Sequence, residues 1–452
     1  MKIWCEAAVV DGRIVDRVEV EITDGRFRSV AVDVDPSPGA DRRNGVTLPG
    51  LANAHSHAFH RVLRGRTQAD RGSFWAWRDI MYSVAERLDP DSYRRLARAV
   101  FAEMACAGIT AVGEFHYVHH QPDGTPYNEA NAMGLALVEA AAEAGIRITL
   151  LDTIYQHGGL DAGGHRPVEG AQIRYRDTTV DGWRHRIDAL SGAIRSYDHA
   201  IVGAAVHSVR AVDEHGILAA GRWASDNDAV LHAHVSEQPA ENAACQAHYG
   251  VTPTEHLGQQ LLGPWFTAVH GTHLSPADVK AYGSTRTNVC FCPTTERDLG
   301  DGIGPSTALV EAGASLCLGS DSHAVIDVLE EARLVELHER LRSLTRGSHR
   351  SGDLLAMATT VGHRSLAWFD AGTIAVGQRA DLVTVDVDSI RTAGTVDRSG
   401  PDTLAALLFA ASAADVTDVV IDGRRVVADR RHMTVDVVTE LVAALQELTD
   451  DR

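Results

Sequence analysis

The sequence predicts an α/β protein: a (β/α)8 TIM barrel with a small β-sandwich domain built from both chain termini. Between about residues 50 and 368, short apolar runs alternate with helix-length segments, and this alternation is typical of a parallel sheet. The apolar runs number eight, as in a (β/α)8 barrel. Strand-like sequences return at both ends of the 452-residue chain, outside these runs.

Short strands and tight turns are indicated at the two termini. The N-terminal runs KIWCEAAVV and VDRVEVEI are followed by the pairs Asp11-Gly12 and Asp24-Gly25, which favour two-residue hairpin turns. After about residue 370, GTIAVGQRADLVTVDV and VTDVVIDGRRVVADRR resemble the first runs in pattern. We therefore predict one composite β-domain of residues 1–48 and 369–452, with a C-terminal helix, flanking a catalytic barrel of residues 49–368.

The central region supplies the barrel elements in order. The apolar runs are VTLPGLANAHSH, ITAVGEFHYV, RITLLDTIYQ, IVGAAVHSV, AVLHAHVSE, WFTAVHGTH, TNVCFCPTT and SLCLGSDSH. Helical segments such as DSYRRLARAVFAEMACAG and NEANAMGLALVEAAAEAG lie between them, several of them ending in a glycine that can cap the helix. Residues 160–180, rich in Gly and Arg, are predicted to form a long βα loop that acts as a lid.

Polar residues follow nearly every apolar run at its C-terminal end. They are His55, His57, Glu114, His116, Asp152, His207, His234, Glu237, His270, Thr294 and Asp321. Because barrel enzymes build their sites at the carboxyl ends of the strands, this pattern predicts an active site at that rim.

Composition excludes several classes of protein. The net charge of −19 argues against a nucleic-acid or anionic-membrane partner. The chain has only two lysines, Lys2 and Lys280, and neither lies at a predicted strand end, which argues against Schiff-base or P-loop lysine chemistry. Six scattered cysteines, no leader-like segment and no apolar run near 20 residues predict a cytoplasmic protein with reduced thiols.

Histidines and carboxylates at the strand ends suggest a metal site. His55 and His57 are two residues apart, so on a strand both imidazoles point to the same face. His234 closes the fifth run, His270 the sixth and Asp321 the eighth. Three histidines and one carboxylate from this set would suit Zn²⁺, Fe²⁺ or Mn²⁺. Such an ion brings the pKa of a bound water close to 7.

These residues, in this order and spacing, resemble the amidohydrolase superfamily. The likeness covers nearly the whole chain and is greatest to its N-formimino-L-glutamate deiminase family. It lies in HSHAFHR, SFWAWRDIMY, GEFHYVHH, HSVRAV, HAHVSEQ, VHGTHL, CPTTERDLGDG and SDSH, and the composite β-domain with GQRADLVTVD agrees with it. Binuclear members have a carbamylated lysine on the fourth strand, but IVGAAVHSV contains no lysine. The resemblance therefore implies a mononuclear site.

The resemblance also implies a role for each site residue. Metal ligands would be His55, His57, His234 and Asp321, holding one divalent ion per subunit, Zn²⁺ or alternatively Fe²⁺. Proton transfer would involve Glu237, His270 and Asp321. The substrate would contact Arg210, His207, Tyr117, Arg78 and His60, the last at a position where the family often has Gln. A homodimer is expected from the family.

The implied reaction is hydrolysis of N-formimino-L-glutamate to N-formyl-L-glutamate and ammonia by a metal-activated water, in histidine degradation. Arginine is the appropriate partner for a carboxylate, because its planar guanidinium gives two parallel hydrogen bonds. Two alternatives stay open. One is an aromatic-ring, purine-type deaminase of the same superfamily, and the other is a barrel that binds ligands without catalysis.

Several residues close in sequence to the proposed site residues are interpreted differently from them. His232 lies on the same strand face as His234 and is a competing ligand. Cys290 and Cys292 are predicted to pack in the core. Glu296 and Asp301 are predicted to serve loop structure rather than chemistry.

Overall fold

Two eight-stranded sheets form the framework of the protein. The computed structural model describes residues 1–68, 74–258, 260–395, 400 and 402–449. The first sheet is parallel throughout, in the order β14-β13-β12-β11-β10-β7-β6-β5. Its strands are β5 Leu51–Ser56, β6 Ile109–His116, β7 Arg147–Ile154, β10 Ala200–Val206, β11 Leu231–Val235, β12 Phe266–His270, β13 Asn288–Phe291 and β14 Ser315–Leu318.

Main-chain contacts between the first and last strands close this sheet into a barrel. Ser56 and Asp321 form a parallel bridge. The Asp321 N–H donates to the His55 carbonyl at 3.0 Å, and the His57 N–H donates to the Asp321 carbonyl at 3.2 Å. Each of the eight predicted runs contributes one strand to the barrel, so the predicted barrel is confirmed. Closure also brings His55 and His57, at the end of the first barrel strand, next to Asp321, which follows the last one.

The second sheet is built from both ends of the chain, in the order β18-β17-β16-β15-β4-β1-β2-β3. Its strands are β1 Lys2–Val10, β2 Arg13–Thr23, β3 Arg26–Ala31, β4 Asp41–Pro49, β15 Leu382–Val385, β16 Val416–Ile421, β17 Arg424–Ala428 and β18 Arg431–His432. Asp11 and Gly12 have φ of 50° and 72° in the β1–β2 turn, as a type I′ hairpin requires. The domain boundaries after residues 48 and 368 stay a prediction.

The run VTLPGLANAHSH is divided between the two sheets at Gly50. Strand β4 ends at Pro49 and β5 begins at Leu51. A Cβ at Gly50 would lie 2.5 Å from Thr110 Oγ1 and 2.6 Å from the Cβ of Asp381. The two sheets therefore approach each other too closely at this junction for a side chain.

Helices lie between the strands and after the barrel. They are α1 Phe74–Arg87, α2 Pro90–Cys106, α3 Ala132–Ala144, α4 Val180–Ile194, α5 Glu214–Asp226, α6 Pro239–Tyr249, α7 Pro253–Leu257, α8 Pro276–Thr285, α9 Pro293–Leu299, α10 Ser306–Ala312, α11 Val328–Ser343, α12 Ser351–Ala356, α13 Gly362–Ser365, α14 Thr403–Ala410 and α15 Val437–Thr449. The predicted C-terminal helix is α15, which contacts α2 through the Arg98–Glu440 and Arg95–Glu447 ion pairs. No helix in the described part of the chain combines the length and apolar composition needed to cross a bilayer.

The predicted long loop connects β7 to α4. It contains a short hairpin, β8 Gly159–Asp161 and β9 Gly164–Arg166, followed by a 3-10 turn over Gly170–Tyr175. Arg174 is fully buried and donates to the carbonyls of Leu88 and His120, at 2.9 and 3.0 Å. The loop is thereby attached to the chain segments after β5 and β6, which also border the rim.

Candidate active site

Four side chains predicted from the sequence meet at the carboxyl rim of the barrel. One atom each from His55, His57, His234 and Asp321 lies within 4.8 Å of the other three, and all four residues are buried. The Nε2 atoms of His55 and His57 are 3.3 and 3.4 Å from Asp321 Oδ1. Strand β5 and the residue that follows it, strand β11 and the segment after β14 position these groups, so the cluster depends on barrel closure.

Hydrogen bonds to main-chain carbonyls orient two of the imidazoles. His57 Nδ1 donates to the Phe115 carbonyl at 2.9 Å, and His234 Nδ1 donates to the His207 carbonyl at 2.8 Å. Because a carbonyl only accepts, each Nδ1 has the hydrogen and each neutral ring presents a lone pair at Nε2. Burial lowers the pKa of both residues, which favours the neutral rings. This donor set fits a divalent cation.

Left-handed backbone conformations occur around the cluster. Ser236, His270, Asp321 and His323 have φ of 53°, 70°, 43° and 57°, a region that non-glycine residues seldom adopt. Ser236 separates the end of β11 from Glu237, and His270 is the last residue of β12. These turns direct side chains from adjacent strand ends into one space.

His270 is surrounded by three carboxylates. Its Nδ1 lies 3.4 Å from Glu296 Oε1, and its Nε2 lies 3.9 Å from both Glu237 Oε1 and Asp321 Oδ2. Burial alone would lower the pKa of His270, but the Glu296 hydrogen bond and the charges of Glu237 and Asp321 raise it to about 10. The interpretation of Glu296 as loop structure was therefore incomplete, since its buried carboxylate also contacts a site histidine.

Arg210 is held by two carboxylates of the protein itself. Its Nη2 donates to Glu237 Oε2 at 3.1 Å, and its Nε lies 3.3 Å from Glu241 Oε2. The Arg210 side chain is 27% exposed, so part of the guanidinium still faces the cavity. Glu241 lies on α6 and was not among the site residues predicted from the sequence.

A cavity of about 320 Å³ opens over the cluster, a size suited to a small ligand. All five predicted substrate residues line it: His60, Arg78, Tyr117, His207 and Arg210. His60 Nε2 is 3.1 Å from the Tyr117 hydroxyl. The structure thus brings together the predicted metal and substrate residues around one cavity.

Other residues that line the cavity were not predicted from the sequence. Leu160, Arg166 and Gln172 come from the β7–α4 loop. The composition of residues 160–180 indicated a loop but could not show which side chains face inward. Only the packing of that loop against its neighbours determines this.

The structure shows the contacts of His232, the competing ligand, and of the two cysteines predicted to lie in the core. His232 Nε2 bonds to the Ser365 carbonyl at 2.9 Å, so this histidine points away from the candidate metal site. Cys290 and Cys292 are fully buried, as predicted. Cys292 nonetheless lies close enough to His270 and Asp321 to form a second group of potential ligand atoms.

Fold and site define a (β/α)8 barrel protein with a candidate His/Asp metal site at its carboxyl rim. The sequence profile of the amidohydrolase family matches residues 46–426. The chain is 35% identical to formimidoylglutamate deiminase of Pseudomonas aeruginosa, over 95% of each chain. It is 29% identical to 8-oxoguanine deaminase of the same species, over 92% of this chain and 87% of the relative.

A solved structure shows the same architecture. The crystal structure of an amidohydrolase from Brucella melitensis aligns with a TM-score of 0.90 and 30% identity, over 99% of this chain and 100% of that one. The protein belongs to the amidohydrolase family. It is an amidohydrolase-type deaminase, a hydrolase that acts on C–N bonds.

Proposed function

We propose that the protein hydrolyses N-formimino-L-glutamate to N-formyl-L-glutamate and ammonia, as a step in histidine degradation. The observation that supports this most directly is the position of Arg210, which faces the same cavity as the His55, His57, His234 and Asp321 cluster. Arg78 lines that cavity as well. Two arginines suit a substrate with two carboxylates, because each guanidinium can bind one carboxylate through paired hydrogen bonds.

The formimino end of the substrate has the opposite charge. This amidine is mostly protonated at neutral pH, so it requires an acidic partner. Glu237 lines the cavity, and one of its oxygens lies 3.9 Å from His270 Nε2. A substrate placed with its carboxylates at the arginines and its amidinium at Glu237 would match the charges at both ends.

One divalent ion, which we propose to be Zn²⁺ with Fe²⁺ as the alternative, would be held by His55, His57, His234 and Asp321. Imidazole nitrogen with one carboxylate oxygen is a common zinc donor set in hydrolases. When bound, such an ion lowers the pKa of a coordinated water toward 7. Side chains of the protein bind the substrate, orient the water and transfer the protons.

Hydrolysis adds one water to the formimino carbon and breaks its bond to the terminal nitrogen. His270, whose pKa is raised to about 10, donates a hydrogen bond that orients the water, and Asp321 accepts a proton from that water as its oxygen bonds to the carbon. Glu237 binds the amidinium as a carboxylate, accepts the remaining hydroxyl proton of the tetrahedral adduct and passes it to the terminal nitrogen, which leaves as ammonia; Asp321 returns the first proton to solvent. The carbon retains the water oxygen as the new formyl group, and the glutamate nitrogen remains attached.

A purine-type deaminase is the second candidate. Several aromatic residues line the cavity, among them Trp77, Tyr82, Tyr155 and Tyr175, and aromatic side chains can stack on a purine. The relationship to 8-oxoguanine deaminase supports the same alternative. A purine, however, has no carboxylate for Arg210.

The test is ammonia release from N-formimino-L-glutamate by zinc-loaded protein, beside a chelated control, with guanine and 8-oxoguanine as competing substrates. We expect metal-dependent ammonia from the formimino substrate only. Turnover of a purine without turnover of the formimino substrate would replace the proposal with the ring deaminase. We also propose a homodimer, which light scattering on the same preparation would measure.

A further inference from the structure

A buried carboxylate beside the cavity has no task in the reaction described above. Glu241 lies on α6 and is 1% exposed. Its Oε2 is 3.3 Å from Arg210 Nε. Both atoms are buried, and neither has a hydrogen-bond partner among the described residues. The ion pair between them is therefore the main polar interaction available to each.

The other oxygen of Glu241 holds the main chain next to Glu237. Oε1 accepts a hydrogen bond from the Ser236 N–H at 3.0 Å. Ser236 has φ of 53°, in the left-handed region, and directly precedes Glu237. One side chain thus fixes both the turn that directs Glu237 and the guanidinium that faces the cavity.

The two contacts leave Arg210 in a defined orientation. Its Nε faces Glu241 and its Nη2 faces Glu237, so the plane of the guanidinium is set by two anchors. An arginine has five N–H groups in a rigid planar arrangement. Those not directed at the two glutamates are available to a carboxylate in the cavity.

We propose that Glu241 is a positioning residue that determines the carboxylate specificity of the site by fixing Arg210. This inference rests on the proposed function, because it takes Arg210 as the receptor for one substrate carboxylate. Glu241 contacts Arg210 and Ser236 and acts through them. Its loss should therefore weaken recognition of the carboxylate bound by Arg210 more than it slows the reaction itself.

Glu241→Gln is the informative variant because it preserves size and removes one acceptor. A glutamine has one oxygen and one NH2, so it can still accept from the Ser236 N–H but no longer presents an anionic oxygen to Arg210 Nε. Glu336 on α11 is a matched control. It accepts from Arg340 Nε at 2.7 Å and from the N–H groups of Gly347 and His349 at 2.8 and 2.9 Å, and it does not line the cavity.

The kinetic experiment compares N-formimino-L-glutamate with two analogues, each lacking one of its carboxylates. The wild type should discriminate against both. In Glu241→Gln we expect KM for the full substrate to rise about 10–100-fold, as for loss of one charge-assisted contact, with kcat within about threefold. Activity on the analogue that lacks the Arg210-bound carboxylate should stay unchanged. Glu336→Gln should behave as the wild type does.

Equal losses on all three substrates would overturn the proposal, since Glu241 would then act through Glu237 or through folding. An unchanged KM would overturn it as well. If Glu241→Gln does not fold, Glu241→Asp is the alternative variant. Aspartate keeps both carboxylate oxygens on a side chain that is one methylene shorter, so it should show the same selective loss.

A binding measurement separates this inference from the proposed function. Calorimetric titration of glutarate into the zinc-loaded protein needs no turnover. Binding by the wild type that is at least tenfold weaker in Glu241→Gln would support the positioning role even if the formimino substrate is not hydrolysed. Equal glutarate binding by both proteins, with normal deiminase activity, would refute the inference and leave the proposed function standing.

Discussion

The Nε2 atoms of His55 and His234 lie 3.1 Å apart in the buried floor of the active-site cavity. His234 Nδ1 is engaged by the His207 carbonyl, and His55 Nδ1 has no hydrogen-bond partner among the described residues. Burial lowers the pKa of His55 to about 3, so its ring is neutral at physiological pH. A cation bound between the two rings would accept one lone pair from each of them.

Replacement of one of these imidazoles should remove the metal. Loss of a residue that merely hydrogen-bonds a metal ligand lowers metal affinity about 10–100-fold. Because His234→Ala removes a ligand itself, we expect the variant to retain less than about one tenth of the wild-type metal and to lose activity by at least about 10³-fold. Elemental analysis after gel filtration measures the metal. His232→Gln, two residues earlier on β11, is the control and should retain it. Full metal content in His234→Ala would contradict the assigned ligand set.

Glu296 is expected to matter for the rate rather than for substrate affinity. Its carboxylate is buried and lies 3.4 Å from His270 Nδ1, so Glu296→Gln should misorient the imidazole. We expect kcat to fall about 10–100-fold, as for a weakened acid–base group, with KM changed by less than about threefold. Steady-state kinetics on the metal-loaded protein test this. Glu330→Gln, which removes the Arg297 partner on the nearby surface, should leave both constants unchanged.

The His60 side chain contacts both Tyr117 and His57. Its Nε2 is 3.1 Å from the Tyr117 hydroxyl, and its ring centroid is 4.6 Å from that of His57. A glutamine amide can donate to or accept from the same hydroxyl. We therefore expect His60→Gln to retain kcat/KM within about threefold to fivefold, since hydrogen bonds between neutral groups contribute about 1 kcal/mol. Complete loss of activity would show that the imidazole itself is required.

Asp415 provides a prediction about stability and pH. Burial opposes its ionisation, but the hydrogen bonds from Arg391, at 2.8 Å to each oxygen, lower its pKa from 3.8 to about 2. A depressed pKa in the folded state stabilises the protein above the unfolded pKa, and this contribution is lost as the pH falls from about 4 toward 2.

Asp415→Asn should accordingly lower the free energy of unfolding by about 1–2 kcal/mol at pH 7, and the difference from the wild type should shrink below pH 4. Urea unfolding at pH 7, 5 and 3.5 measures it. The exposed Asp226, whose carboxylate is 3.9 Å from Arg184, supplies the control variant Asp226→Asn, for which no measurable change is expected. A constant difference across this range would mean that ionisation of Asp415 is not the cause.

The sequence predicted the barrel well because parallel strands buried on both faces appear as continuous apolar runs. Strand β11, LHAHV, is fully buried and has His234, a candidate metal ligand, near its carboxyl end. The Asp-Gly hairpins were predictable for a similarly local reason, since two successive residues with positive φ favour these residue types. The division of one predicted run at Gly50 was not predictable, because it depends on the distance between two sheets.

Sequence by itself determined the order of strands and helices, the donor types at the strand ends and the absence of a lysine on the fourth barrel strand. Tertiary structure alone decided which groups pair across the rim. Glu241 and Glu296 lie on helices that follow two different strands, and nothing local indicates that one faces Arg210 and the other His270. Such contacts arise only when barrel closure brings the strand ends together and packing fixes which side of each helix faces the cavity.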